Sequence, residues 1–174
     1  MMATSTNQLS HKDHRMKFIT AMLLMALAPL AQAHGPEAHA KPATVAVEAQ
    51  AAPAVKVVEA FSTALQAGDL GRAGSLLADD VLILESGGAE RSKEEYLGGH
   101  AGHDAEFLKA AHIQLVHRTA RLEGGLAWVG TESELHASKD GKPMALLSTE
   151  TMVLKNTPNG WRIVHIHWSS RPKK

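Results

Sequence analysis

The sequence predicts an α+β fold, with helices grouped in the first half of the domain and antiparallel strands in the second. Apolar residues recur at helical spacing in 54–69 and again in 70–78. Alternating apolar and polar residues, separated by turn signals, fill 112–170. Such an order favours helices gathered on one side of an antiparallel sheet.

Composition limits the classes of protein that this chain can belong to. Its 174 residues are enough for one domain, and 44% hydrophobic residues allow a packed core. The formal net charge is zero and no basic face stands out, which argues against a nucleic-acid partner. The absence of cysteine excludes disulfides, thiolate catalysis and cysteine-ligated metals.

The N-terminal segment has the features of a secretory signal peptide. Basic residues precede an apolar segment at 18–31, and the small residues of 31–33 match the pattern that signal peptidases cleave. That apolar segment is shorter than the roughly 20 residues of a membrane span. We therefore expect 1–33 to be removed, with Met16 an alternative start, and the mature protein to be periplasmic or secreted without a stable membrane span.

A flexible linker is expected next. Residues 34–53 are rich in alanine and proline and show no sustained period. The folded domain is therefore predicted to cover 54–174.

The predicted helices have recognisable ends. Gly68 ends the first helix, and Asp69 opens a second one that runs to about 78. Ser92 and Glu95 form a capping box that starts a third helix, which its glycines should loosen midway. The apolar residues that indicate the first helix are Val55, Val58, Phe61 and Leu65.

The strands are predicted from alternation and turns. A short apolar strand at 81–86 ends at two glycines, and Asp140-Gly141 marks a hairpin tip later in the chain. Four strands follow the third helix as an antiparallel meander: 112–124, 126–138, 144–156 and 161–170.

Two segments of this pattern resemble a known superfamily over about 54–171. "FSTALQAGDLGRAGSLLADDVLI" is similar to the helix–Gly-Asp–helix opening of the NTF2-like superfamily. "ETMVLKNTPNGWRIVHIHWSS" resembles the closing hairpin of its SnoaL-like and calcium/calmodulin-kinase association-domain branch, through Trp161, Val164, His165, His167 and Ser169. The resemblance implies an NTF2-like cone, in which three N-terminal helices pack on a curved, mainly antiparallel sheet, and a homodimer formed through that sheet.

The resemblance also implies a pocket inside the cone. Association-domain hubs line an anion-binding cavity with arginines on the last two strands, whereas Met152 and Trp168 occupy the matching positions here. A more apolar pocket and a small-molecule ligand are therefore expected. The superfamily includes isomerases, dehydratases, hub domains and binding proteins, so the fold alone assigns no activity.

Carboxylates and histidines are the candidate ligand-binding groups. Glu85 ends an apolar strand, and Glu150 shares a strand face with Met152 amid residues that should be buried. A buried carboxyl often has the raised pKa of a general acid or base, so Glu150 is the candidate catalytic residue. His100 and His103 are expected at the pocket mouth, and Trp168 in its wall. Glu150 could equally be a hydrogen-bonding or purely structural group.

The histidines also suggest a metal site. By strict alternation His165 and His167 share one strand face, about 6–7 Å apart, which suits two ligands of one zinc or copper ion. His100 and His103 share a helix face at i, i+3 and could complete the set. The alternative is that these imidazoles only make structural hydrogen bonds. No cofactor is required by the sequence.

Three functions follow from these residues. The first hypothesis is a small, largely apolar ligand held in the cone, and the second is zinc or copper binding through the histidine pairs. The third is an isomerase, lyase or hydrolase that uses Glu150 or a histidine as general base. Tyr96 is the only tyrosine and lies on the third helix, which does not match the tyrosine–acid pairing of ketosteroid isomerase relatives.

Overall fold

A computed structural model of the protein describes residues 43–139 and 141–174. The predicted signal peptide and the first part of the predicted linker lie outside the described residues. The helices are α1 Ala52–Ala67, α2 Leu70–Leu76, α3 Lys93–Gly98 and α4 Ala101–Ala110. The strands are β1 Thr44–Val47, β2 Leu77–Glu85, β3 Gly88–Glu90, β4 His112–Glu123, β5 Leu126–Lys139, β6 Lys142–Thr157 and β7 Gly160–Pro172.

All seven strands belong to one sheet, in the order β1-β4-β5-β6-β7-β2-β3. The predicted four-strand meander β4–β7 is confirmed as continuous antiparallel pairing. Two parallel pairs, β1 with β4 and β2 with β7, extend it on either side. The α+β class is therefore confirmed, with the helices on one face of the sheet, which we call the inner face.

The helix ends follow the predicted local chemistry. Gly68 ends α1 in the left-handed region at φ 76°, which favours glycine. The Asp69 carboxylate then accepts the backbone N–H of Arg72 at 2.8 Å and caps α2. These two residues form the turn between α1 and α2, and α2 packs against α1. Strand β2 follows α2 directly and joins the sheet.

The predicted third helix is divided in two at Gly99. Ser92 Oγ accepts the backbone N–H of Glu95 at 3.0 Å, as the capping box requires. The Glu95 carboxylate accepts the N–H of Arg91 at 2.7 Å, one residue earlier than expected. Gly99 then ends α3 with φ −122° and ψ −103°, outside the helical region, and α4 begins at Ala101. Within the described residues, no helix combines the length and the apolar character needed to cross a bilayer.

The linker prediction is wrong from residue 44 onward. Thr44–Val47 form β1, which pairs with β4 in parallel, and a short 3-10 helix at Ala49–Ala51 leads into α1. The N–H of Glu48 also donates to the carbonyl of Ala120 at 3.1 Å. The β-branched alternation of "TVAV" favours a strand, and β4 would otherwise present an unpaired edge.

The inner face is organised in rows, because residues paired across neighbouring strands lie side by side. One row is fully buried and apolar, and it forms the floor of the core under the helices. This apolar row consists of Ala120, Val129, Met152, Ile166 and Ile83.

Two residues further along each strand the character of the inner face changes. The next row, about 6–7 Å away, is largely polar and spans five strands. A third row carries only small hydroxyl side chains on three of them. The polar row consists of Arg118, Thr131, Glu150, Trp168 and Glu85, and the serine row of Ser133, Ser148 and Ser170.

A β-bulge in β7 changes which residues face the helices. Its pairing with β6 shifts by one residue at Val164, so Ile163 and Ile166 are both buried in the core although they are three residues apart. Strict alternation would place Ile163 on the same face as His165 and His167, whereas the bulge turns Ile163 to the inner face. Both histidines lie on the outer face of the sheet.

Candidate functional site

A cavity of about 360 Å³ lies between the helices and the inner face of the sheet. The polar row and the serine row form one wall, and α1 and α4 supply the opposite one. Leu135, Leu146 and Ile113 edge the open side with apolar surface. The serine row explains why space remains, because small hydroxyl side chains stand where the apolar row carries methionine, valine and isoleucine.

Glu150 lies at the centre of the polar row and is held in place by its neighbours. Its Oε2 accepts the indole N–H of Trp168 at 2.8 Å. Burial raises the pKa of Glu150, while hydrogen bonds from Trp168 and Thr131 and the charge of Arg118 offset only part of that rise. A carboxyl of this kind can accept a hydrogen bond when ionised or donate one when protonated.

Arg118 brings a cation to the same wall from β4. Its Nη1 donates to Glu59 on α1 at 2.7 Å, and its Nε donates to the Thr131 hydroxyl at 3.4 Å. Only 12% of the Arg118 side chain is exposed. The guanidinium therefore ties α1 to the sheet while it lines the cavity.

A second group of carboxyls lies where α4 meets the end of β2. Tyr96 is fully buried, and its hydroxyl donates to Asp104 Oδ2 at 3.0 Å. Burial raises the pKa of Tyr96, and the negative charge of Asp104 adds to that rise. Burial also raises the pKa of Asp104, more than the hydrogen bond from Tyr96 lowers it.

Glu85 completes this group at the mouth of the cavity. Its carboxyl has a raised pKa, chiefly through partial burial and then through repulsion by Asp104 and Glu90. Glu85 and Asp104 both line the cavity. In the described residues neither carboxyl forms an ion pair with a lysine or an arginine.

Aromatic rings connect Glu150 with the hydrogen-bonded pair of Tyr96 and Asp104. The rings of Phe61 and Trp168 stack with centroids 6.4 Å apart and 18° between their planes. Tyr96 packs against the same indole at 6.2 Å with a 46° tilt. Trp168 therefore contacts Tyr96 on one side while its N–H binds Glu150 on the other.

His100 and His103 lie close to Asp104 but are not among the residues that line the cavity. His100 forms an ion pair with Glu90, and that carboxylate raises the pKa of the imidazole. The side chain of His103 is exposed. The positive charges of the two imidazoles lower the pKa of Asp104, so they act on the cavity through charge rather than by contact.

The structure does not bring the two histidine pairs together as one metal site. His165 Nδ1 donates to the carbonyl of Leu82 at 2.8 Å on the outer side, and His167 is exposed there. Over residues 43–139 and 141–174, no three His, Asp or Glu side chains are placed to hold a metal ion. His165 makes a structural hydrogen bond, the alternative left open by the sequence.

Of the other residues predicted to line the pocket, three line the cavity and one lies in the core. Glu85, Glu150 and Trp168 line the cavity, whereas Met152 belongs to the apolar row and is fully buried in the core. The prediction that Met152 lines the pocket is wrong because it lies two residues nearer the closed end of the sheet than Glu150.

Sequence reasoning missed Arg118, Thr131 and Phe61 as cavity residues. Arg118 shares a strand face with Ala120, so a charged residue at an inward position was the available signal. A β-bulge at Val116, where the β4–β5 register shifts, obscured that alternation. No local pattern indicates that Phe61 reaches the cavity, because its position follows from how α1 crosses the sheet.

Residues 55–172 match the family model of the SnoaL-like domain. A proposed ketosteroid isomerase from Shewanella frigidimarina is 33% identical, with a TM-score of 0.67 over 71% of this chain and 100% of that one. A proposed calcium/calmodulin-dependent protein kinase II association domain from Xanthomonas campestris is 19% identical, with a TM-score of 0.62 over 76% of this chain and 97% of that one.

The association domain of the same kinase from C. elegans is 18% identical, with a TM-score of 0.58 over 70% of this chain and 95% of that one. At these identities the two association domains show the shared fold alone. No protein of curated function matches the sequence. The family match and the Shewanella relative together establish that the chain belongs to the SnoaL-like family, with the NTF2-like fold.

Proposed function

We propose that the protein binds a small, largely apolar molecule in the cavity between α1, α4 and the sheet. The observation that carries the proposal is the unfilled volume of about 360 Å³ above the serine row. Ligand pockets of proteins begin at about 300 Å³ and combine apolar walls with a few placed polar groups. Glu150, fixed by Trp168, is the central polar group of this wall.

Filling the cavity tests the proposal directly. Ser148 is part of the serine row, and a Ser148→Leu substitution should place an apolar side chain in the open volume. With naphthylmethanol as the probe, calorimetric titration should show binding to the natural protein and at least about tenfold weaker binding to Ser148→Leu. Ser138→Leu makes the same change at an exposed position of β5 and should leave binding unchanged. Equal affinity in all three proteins would overturn the proposal.

Proton-transfer catalysis is the second candidate function. Glu150 and Asp104 both line the cavity and both have raised pKa values, as general acids and bases often do. The relative from Shewanella is described as a proposed ketosteroid isomerase, which supports this candidate. Turnover of an unconjugated ketosteroid would be followed by absorbance of the conjugated product. Glu150→Gln should keep probe binding and lose turnover, and a variant that retains full turnover would exclude Glu150 as the base.

A homodimer through the outer face of the sheet is also proposed. Trp128 is 40% exposed there and lies over Gly130, next to Val153 in the paired row. The two solved structures described as kinase association domains share this fold, which supports the proposal of a homodimer. Trp128→Glu should convert a dimer to a monomer in sedimentation velocity, and a monomeric natural protein would contradict the proposal.

Export rests on the first 33 residues, which lie outside the described part of the chain. We propose cleavage before His34, from the basic start, the apolar segment at 18–31 and the small residues that follow it. Mass spectrometry of the protein recovered from the periplasm or medium would give its first residue. Recovery of the uncleaved chain in the cytoplasm would contradict export.

A further inference from the structure

We propose that the ligand of this cavity carries a protonated amine on its apolar body, and that Glu85 and Asp104 bind that ammonium group. The inference deepens the proposed function and rests on it. It names the class of ligand, a lipophilic amine, and the end of the cavity that recognises its charge.

The cavity wall carries more acidic than basic groups. Four charged residues line the cavity in the described chain, and three of them are the carboxylates Glu85, Asp104 and Glu150. The fourth, Arg118, already pairs with Glu59 at 2.7 Å. The wall therefore carries three carboxyl groups against one guanidinium, whose charge also acts on Glu150, so a cationic ligand would compensate the ionised carboxylates while an anionic ligand would add to their charge.

Glu85 and Asp104 are neighbours in the cavity wall. They come from different elements, the end of β2 and the middle of α4, and converge on one cavity close enough for Asp104 to repel the charge of Glu85. Asp104 is held by the Tyr96 hydroxyl at 3.0 Å, which leaves its other oxygen for a ligand. An ammonium group has three donors and can bind both carboxylates at once.

Aromatic residues line the same cavity as this pair of carboxyls. Glu85 is paired in the sheet with Trp168, and Phe61 and Phe107 line the same cavity. Aromatic faces attract cations, most strongly those of tryptophan. The same rings, with Ile113 and Leu135 at the open side, provide the surface for the apolar body of the ligand.

Among the described residues, no lysine, arginine or histidine forms an ion pair with Glu85 or Asp104. His100 is committed to Glu90, and His103 is exposed beside Asp104. Tyr96 supplies a hydrogen bond and no charge. As pH rises, Glu85 and Asp104 lose protons and the imidazole of His100 loses positive charge, so each of these changes increases the attraction for an ammonium group.

The experiment compares three probes of nearly equal shape: naphthylmethylamine, naphthylmethanol and naphthoate. We expect calorimetric titration at neutral pH to show the amine binding at least about tenfold more tightly than the alcohol, because it adds charge-assisted hydrogen bonds. The carboxylate should bind more weakly than the alcohol. Between about pH 5 and pH 8 the affinity for the amine should rise while that for the alcohol stays constant.

Isosteric variants assign the preference to the two carboxyls. Glu85→Gln combined with Asp104→Asn keeps the shapes and lets Tyr96 still donate to residue 104, so the amine should lose its advantage while the alcohol binds as before. Glu106→Gln removes a carboxylate from the exposed side of α4 and should keep the preference for the amine. Binding of the alcohol shows in each variant that the cavity has folded.

Three results would overturn the inference. The first two leave the proposed function intact, and the third overturns it as well. If the alcohol binds as tightly as the amine, or if the double variant keeps the preference, the cavity binds apolar ligands but does not recognise an ammonium group through these carboxyls. If none of the probes binds, both this inference and the proposed function fail.

Discussion

Glu150 is a single carboxyl whose burial affects both stability and binding. Its pKa is raised above the usual 4.5, so the folded state holds the proton more tightly than the unfolded state does. The stabilisation from this proton is complete below the ordinary pKa and is lost as pH rises through the folded value. The carboxyl group of Glu150 therefore lowers the free energy of unfolding as the pH rises above its ordinary pKa.

Replacing Glu150 by glutamine should remove this destabilisation of the folded state. The amide keeps an acceptor for the Trp168 N–H but cannot ionise, so Glu150→Gln should be more stable than the natural protein at pH 7. The difference should shrink as the pH falls toward 4.5. Urea unfolding at several pH values measures it, with Glu132→Gln as a control on the exposed outer face. A variant that is less stable at pH 7 would show that ionised Glu150 stabilises the fold.

The hydroxyl group of Tyr96 allows a second test, of its single hydrogen bond to Asp104. Tyr96→Phe removes the hydroxyl that donates to Asp104 and leaves the ring against Trp168. We expect a loss of about 1–2 kcal/mol in unfolding free energy and a further rise in the pKa of Asp104. Urea unfolding and a nuclear magnetic resonance titration of that carboxyl measure the two effects. An unchanged titration would mean that the hydrogen bond does not affect the ionisation of Asp104.

At the scale of elements, local chemistry decides where α3 begins. Ser92→Ala removes the acceptor for the N–H of Glu95 and should lower the unfolding free energy by about 1 kcal/mol. Ser138→Ala, at an exposed strand position, should have little effect. Urea denaturation of both variants checks the difference, and equal stabilities would show that the cap contributes nothing measurable.

The features that could be predicted from the sequence are those that depend on neighbouring residues. Gly68, Asp69, Ser92 and the hairpin turns act on their immediate neighbours, so the helices and the meander follow from short segments. A β-bulge also needs a partner strand to define it, which is why alternation puts Ile163 on the same face as His165 and His167 although it is buried on the inner face. Glu85, Glu150 and Trp168 were predicted as pocket residues because the resemblance to a family adds information from a whole fold. Arg118 and Phe61 reach the cavity only through the packing of distant segments.

At the scale of the whole molecule, β1 closes one edge of the sheet. It is paired along its length with β4, and Glu48 adds a side-chain hydrogen bond to the N–H of Leu122 at 3.1 Å. A chain that begins at Ala49 should lose about 2 kcal/mol of unfolding free energy and amide protection in 117–120. Hydrogen exchange with mass spectrometry measures that protection. Unchanged exchange in β4 would show that β1 is not needed to protect it.

The row arrangement has a consequence for how this protein can change over evolutionary time. The apolar row that stabilises the fold and the polar row that faces the cavity are separate sets of positions, interleaved on the same strands. A substitution at residue 118, 131 or 150 can therefore alter the polar groups that line the cavity without enlarging or shrinking the packed interior. New specificities become reachable by single mutations that the remaining stability tolerates, which is one physical reason why a single architecture can diverge into many activities.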